Sequence, residues 1–255
     1  MARFLRIGLL LFVLLVVAQG AWIARGRTTD WKEPLRVVVY PINGDGSTAA
    51  GRYIQSLSRD GFEPLAVYLR AQARRYALPL RSPVEVYLAP QVDALPPEPP
   101  REPSALAAVG WSLQLRFWAW RHDGYSGPKA HVRMFVKYFA PLPTTRLAHS
   151  VGLREGLVSV VNAFASDDMT GSNHVVIAHE LLHTFGATDK YDPATNQPQF
   201  PDGYAEPNAN PSVPQSKAEI MAGRIPLTPT RADTPDTLAE TVIGSKTARE
   251  INWLK

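Results

Sequence analysis

Residues 174–192 read HVVIAHELLHTFGATDKYD. Val175, Val176, Leu181, Leu182 and Phe185 follow a helical pattern, and Gly186 ends it. This predicts a helix from about His174 to Phe185, closed by a left-handed glycine and capped by Ser172 or Asn173. His179, Glu180 and His183 sit inside that run. Positions four apart share a helix face, roughly 6 Å apart along the axis, so two imidazoles can point at one ion. Glu180 borders that face, within reach of a water on such an ion. So apolar a helix is expected to be buried, where two histidines and a glutamate each need a partner. One divalent cation would serve all three.

H-E-x-x-H is the spacing with which zinc hydrolases hold their metal and its general base. A catalytic zinc takes three protein ligands and leaves one position open. Asp189 is the first candidate for the third ligand, because Gly186 permits a sharp turn and Asp189 follows three residues later. The alternatives are that Asp189 is a plain turn-forming aspartate, that it only steadies a ligand histidine, or that Asp192, Glu206 or Glu219 ligates from further along the chain.

The rest of the chain surrounds this helix with both kinds of secondary structure. Residues 35–42 and 84–90 read as strands, 48–60 and 63–77 as helices. Residues 91–103 are proline-rich and fit a surface loop. Residues 113–121 and 131–139 alternate in part around a turn at 122–128, which predicts a hairpin whose aromatics (Phe117, Trp118, Trp120, Phe135, Tyr138, Phe139) fill the core and sheet face. Residues 156–166 form another apolar strand. The stretch 187–216 lacks periodicity, and a loop this long is functional or held by something. Asp192, Asp202 and the carbonyls of 187–210 are candidates for a structural calcium. AEIMAG (218–223) reads as a compact apolar turn and 245–255 as a terminal helix capped by Ser245. His122, His131, His149 and His174 have no ligand spacing and read as surface or packing residues.

HELLHTFGATDKY resembles the extended metzincin motif H-E-x-x-H-x-x-G-x-x-H/D. With aspartate in the last place and a tyrosine two residues on, it is most similar to the snapalysin-type bacterial neutral proteases. The resemblance covers about residues 172–223. It implies an α+β zincin domain: a twisted mixed sheet, an active-site helix, an irregular lower part and a C-terminal helix. It also implies zinc held by His179, His183 and Asp189, with Glu180 as general base and acid. Met221 matches the methionine of the tight turn beneath the metal, and residues 156–166 match the substrate-binding edge strand. Ala222 and Gly223 stand where some metzincins carry an oxyanion-stabilising tyrosine. Tyr191 and Tyr204 are the substitutes available.

The chain has 255 residues, 45% of them hydrophobic and 20% charged, which suits a globular protein with a sizeable core. No cysteine is present, which excludes disulfides, Cys-ligated zinc and thiol catalysis. The net charge of +4 comes without clustered Lys/Arg among aromatics, so nucleic acid is not an expected partner. At the N-terminus, Arg3 and Arg6 precede an apolar run from Ile7 to Ala24. Either a signal peptide is cleaved after Ala18-Gln19-Gly20, or Ile7–Ala24 stays as a signal-anchor; on hydropathy alone a buried core helix is a further reading. Arg25 and Arg27 close behind favour the anchor. Under either exported reading, residues 28–255 form one catalytic domain outside the cytoplasm. The expected function is a zinc endopeptidase acting on peptide or protein substrates. A zinc-binding envelope scaffold without turnover and a zinc amidase on a non-peptide substrate are the alternatives.

Overall fold

The structure, a computed structural model, describes residues 30–100, 104–142, 147–153 and 157–255. In chain order the elements are β1 (Leu35–Asn43), α1 (Thr48–Ser56), α2 (Glu63–Arg75), β2 (Val84–Leu88), α3 (Ala105–Arg121), β3 (Val132–Phe139), β4 (Val151–Leu153), β5 (Val158–Phe164), α4 (Thr170–Phe185), β6 (Ala218–Glu219), β7 (Ile225–Thr228), β8 (Arg231–Asp233), β9 (Thr241–Val242) and α5 (Ser245–Glu250). The protein is therefore α+β with a mixed sheet. The main sheet runs β2-β1-β3-β5-β4; the first four strands are parallel and β4 is antiparallel to β5.

Central parallel strands are buried on both faces, so they read as largely apolar runs, as in LRVVVYPI and VSVVNAF, interrupted only by Arg36, Ser159 and Asn162. Two cores result. Val37, Val39, Met134, Val136 and Val161 pack with α1, α2, α4 and α5 on one face. Val38, Tyr40, Phe135 and Val160 pack with Leu115 and Ala119 of α3 on the other. Trp31 donates its indole N–H to Ile251 O at 2.6 Å and stacks edge-on against Phe185 and Trp253, so the chain enters at the base of α4.

Three expectations need correction. Residues 113–121 are not half of a hairpin: they belong to α3, and β3 pairs in parallel with β1 and β5. The short window LQLRFWAWR alternates, but its inward positions Leu115, Trp118 and Ala119, together with Trp111 before it, fall at helical spacing, and Ser104 caps the helix by accepting from Ala107 N. As a result Phe117 and Trp120 face solvent rather than the core. Second, residues 156–166 are not the edge strand. β5 lies between β3 and β4, as its near-complete burial requires, and the edge is β4. Third, α4 begins at Thr170 after a short 3-10 turn, with no side-chain cap. Asn173 instead pairs with β5, accepting from Phe164 N and donating to Phe164 O. Likewise Gly244, not Ser245, is the N-cap of α5. Among the described residues no helix is long and apolar enough to cross a membrane. The N-terminal apolar run lies outside them.

Candidate active site

α4 carries His179, Glu180 and His183 against β4 and β5. Leu181, Leu182 and Phe185 are fully buried on its inner side and fix its rotation. Gly186 ends the helix at φ 105°. This reversal returns the carbonyl of Ala187 to His183 Nδ1, 2.8 Å away, while Ile220 O lies 2.9 Å from His179 Nδ1. A carbonyl can only accept, so both Nδ1 atoms carry the proton and both Nε2 atoms present lone pairs.

Those lone pairs converge. The two Nε2 atoms are 3.1 Å apart, and Asp189 Oδ1 is 3.1 Å from each. Three acceptors thus share one point with no donor between them, an arrangement that repels itself unless a cation or proton occupies it. A point equidistant from three such atoms lies about 1.8 Å from each, just inside the 2.0–2.1 Å of zinc–nitrogen and zinc–oxygen bonds. The donor set therefore fits a zinc ion. Beside it, Glu180 is 5% exposed, and its Oε2 is buried with no hydrogen-bond partner. Ligand atoms of His179, Glu180 and His183 also lie within 4.8 Å of one another. Asp192 turns Oδ1 onto the amides of Ala194 and Thr195.

The titration behaviour follows from these contacts. Burial opposes charge on His179, but Asp189, Glu180 and the Ile220 carbonyl outweigh it and push its pKa up. Against burial, the two histidines hold the Asp189 carboxyl well below the usual range. Burial pushes Glu180 up, with His179 and His183 pulling the other way.

Asp189 is not left to a free loop. Thr188 donates its N–H and hydroxyl to Glu250 of α5, and buried Lys190 pairs with Glu250 at 2.8 Å. Lys190 N also donates to Met221 O. Met221 is fully buried in the core shared with α4, inside a turn closed by Ala222 N and Gly223 N onto Glu219 O. Glu219, a weaker ligand candidate on sequence, points away from the metal position. Its carboxylate accepts from Met221 N, Ala222 N, Gly244 N and Thr247 Oγ1. It thereby joins the methionine turn to α5 and steadies Ile220, whose carbonyl orients His179.

The site opens into a cleft of about 470 Å³, bordered by His149, Asn162, Val176, Tyr191, Gly223 and Arg224 among others. Tyr191 lines it, and burial followed by the charges of Asp189 and Glu180 pushes its pKa up. Tyr204 does not; it packs on Phe200. His149 faces the cleft closely enough for its charge to act on Glu180. Asn162 of β5 holds that rim, donating Nδ2 to Ala148 O and His149 O. Neither residue announces itself in the sequence, since neither sits at a motif spacing. Gly152 of β4 is a third such residue: a Cβ there would lie 2.6 Å from both Glu180 O and His183 Cβ. The edge strand rests directly on the helix that carries the histidines.

No protein-family model matches this sequence, and no curated protein matches it.

Proposed function

We propose that this chain is a zinc-dependent metallopeptidase of metzincin-like design, acting on peptide or protein substrates outside the cytoplasm. The observation that carries the reading is the convergence of His179 Nε2, His183 Nε2 and Asp189 Oδ1 beside a buried, unpartnered Glu180 Oε2. When bound, zinc would lower the pKa of a coordinated water toward about 7 and polarise the substrate carbonyl. Glu180 Oε2 would accept the proton of the attacking water and return it to the leaving amine nitrogen. Its buried Oε2, with no other hydrogen-bond partner, is available for that proton. The short edge strand β4 favours a peptide over other amides. Among the described residues no strand pairs with its outer side, where an extended backbone could add, and Gly152 brings that strand against Glu180. Tyr191, which lines the cleft, would act on the oxyanion.

The test is metal analysis of the purified protein together with cleavage of a generic peptide library by wild type and Glu180→Gln. One zinc per chain in both proteins, with cleavage lost about 10²–10⁴-fold in the variant, is the expected outcome. Zinc in both with no cleavage in either would replace this reading with that of a zinc-bearing scaffold.

A further inference from the structure

α3 presents a face that the fold does not use. Leu106, Val109, Leu113, Phe117 and Trp120 are all exposed, from 40% at Leu113 to 86% at Leu106. Their spacing of three, four, four and three residues places them within an arc of about 80° along roughly 21 Å of helix. Scattered exposed apolar side chains are ordinary, but five in one register form a surface. The opposite side of α3 is satisfied, with Leu115 and Ala119 sealed against the sheet.

We propose that this stripe docks on an anionic lipid surface, with α3 lying in the plane of the headgroups. This does not depend on the metallopeptidase reading. Charge selects the occupant. Residues 105–121 contain no carboxylate and carry Arg116 and Arg121. A second copy would bring the same two cations to the same face. The apolar N-terminal run would bring Arg3, Arg6, Arg25 and Arg27. Anionic headgroups carry the opposite sign, and each arginine near them contributes about 1 kcal/mol, or roughly fivefold in affinity. Trp120 at the end of the stripe is the residue type that membrane interfaces favour.

The chain path agrees. Residues 7–24 are apolar, and the described chain resumes at Asp30. Asp30, Arg36 and His131 border one surface hollow, and Arg36 donates to Lys129 O at 2.8 Å, in the loop that follows α3. Arg36 thereby ties the start of β1 to the loop between α3 and β3. α3 and α4 cover opposite faces of the sheet, so lipid at α3 leaves the catalytic cleft uncovered.

The absence of cysteine makes the test direct. The full chain carrying Phe117→Cys, labelled with an environment-sensitive fluorophore, is reconstituted in vesicles of mixed phosphatidylcholine and phosphatidylglycerol. Gln55→Cys on α1, across the sheet, is the control, and Leu106→Cys is a second reporter should the first fold poorly. Expected are blue-shifted emission and quenching by acyl-chain nitroxide lipids at 117 and 106 but not at 55. Replacing the anionic lipid by phosphatidylcholine should weaken docking roughly fivefold per arginine engaged. Quenching at 117 and 106 no stronger than at 55 overturns the proposal. So does a shielded label that the nitroxide lipids do not quench, which would mean that protein covers the stripe instead.

Discussion

Gly152→Ala tests how the cleft is built. The added Cβ would meet Glu180 O and His183 Cβ at 2.6 Å, and Glu180 Oε2 at 3.3 Å. Carbon contacts settle near 3.5–4.0 Å, so the two elements must part by about 1 Å. α4 is held by fully buried Leu181, Leu182 and Phe185, whereas β4 is a half-buried, three-residue edge strand paired only with β5. β4 is the element that yields. On the proposed function, in which β4 aligns the peptide and Glu180 is the general base, a displacement of about 1 Å between them costs about 10²-fold in rate. Overpacking of this kind costs about 1–3 kcal/mol, or a few degrees in Tm for a chain of this size. The expected result is kcat/KM lowered about 10²-fold, zinc content unchanged and Tm slightly reduced. Gly110→Ala is the control, because nothing lies within 4 Å of its Cβ. As a helical alanine it should gain about 0.5–1 kcal/mol with activity intact. Wild-type kinetics in Gly152→Ala would refute the contact between β4 and α4. Loss of zinc together with activity would show that α4, not β4, gives way.

Further outcomes follow from the other contacts. Glu219→Gln turns an amide group toward buried donors and should cost about 1–3 kcal/mol in chemical denaturation. If Ile220 O orients His179 as described, chelator competition will also show zinc affinity about 10–100-fold weaker. Asn162→Ala frees the His149 rim and should raise KM about tenfold, the worth of two modest hydrogen bonds, with zinc retained. In the metal-free protein the Asp189 pKa is depressed, so its contribution to stability is present above about pH 4 and lost as pH falls through the folded value. The His179 pKa is raised, so its contribution is present below about pH 6.5 and lost as pH rises through the folded value. Tm measured in chelator should therefore peak between those limits; a flat profile would contradict the His179–Asp189 contact.

The helix that carries the histidines was legible because its signal is local. His179, Glu180, His183, Gly186 and Asp189 lie within eleven consecutive residues, and helix geometry with one left-handed glycine turns that spacing into a site. The central strands were legible because burial on both faces leaves largely apolar runs. α3 was misread because a nine-residue window of alternating aromatics imitates a strand, and an exposed apolar stripe removes the polar face that would have marked an amphipathic helix. The edge strand escaped notice because three residues, Val151–Leu153, carry no pattern. Asn162, His149, Glu219 and Gly152 act only through partners distant in sequence, and spacing does not encode such pairings.

The bonds from Thr188 and Lys190 to Glu250, and from Glu219 to Gly244 and Thr247, set an order on biosynthesis. A chain leaving the ribosome has both histidines long before it has the residues that hold the third donor in place. Until α5 is made, the nascent polypeptide lacks the groups that fix Thr188, Lys190 and Glu219 around Asp189 and the methionine turn.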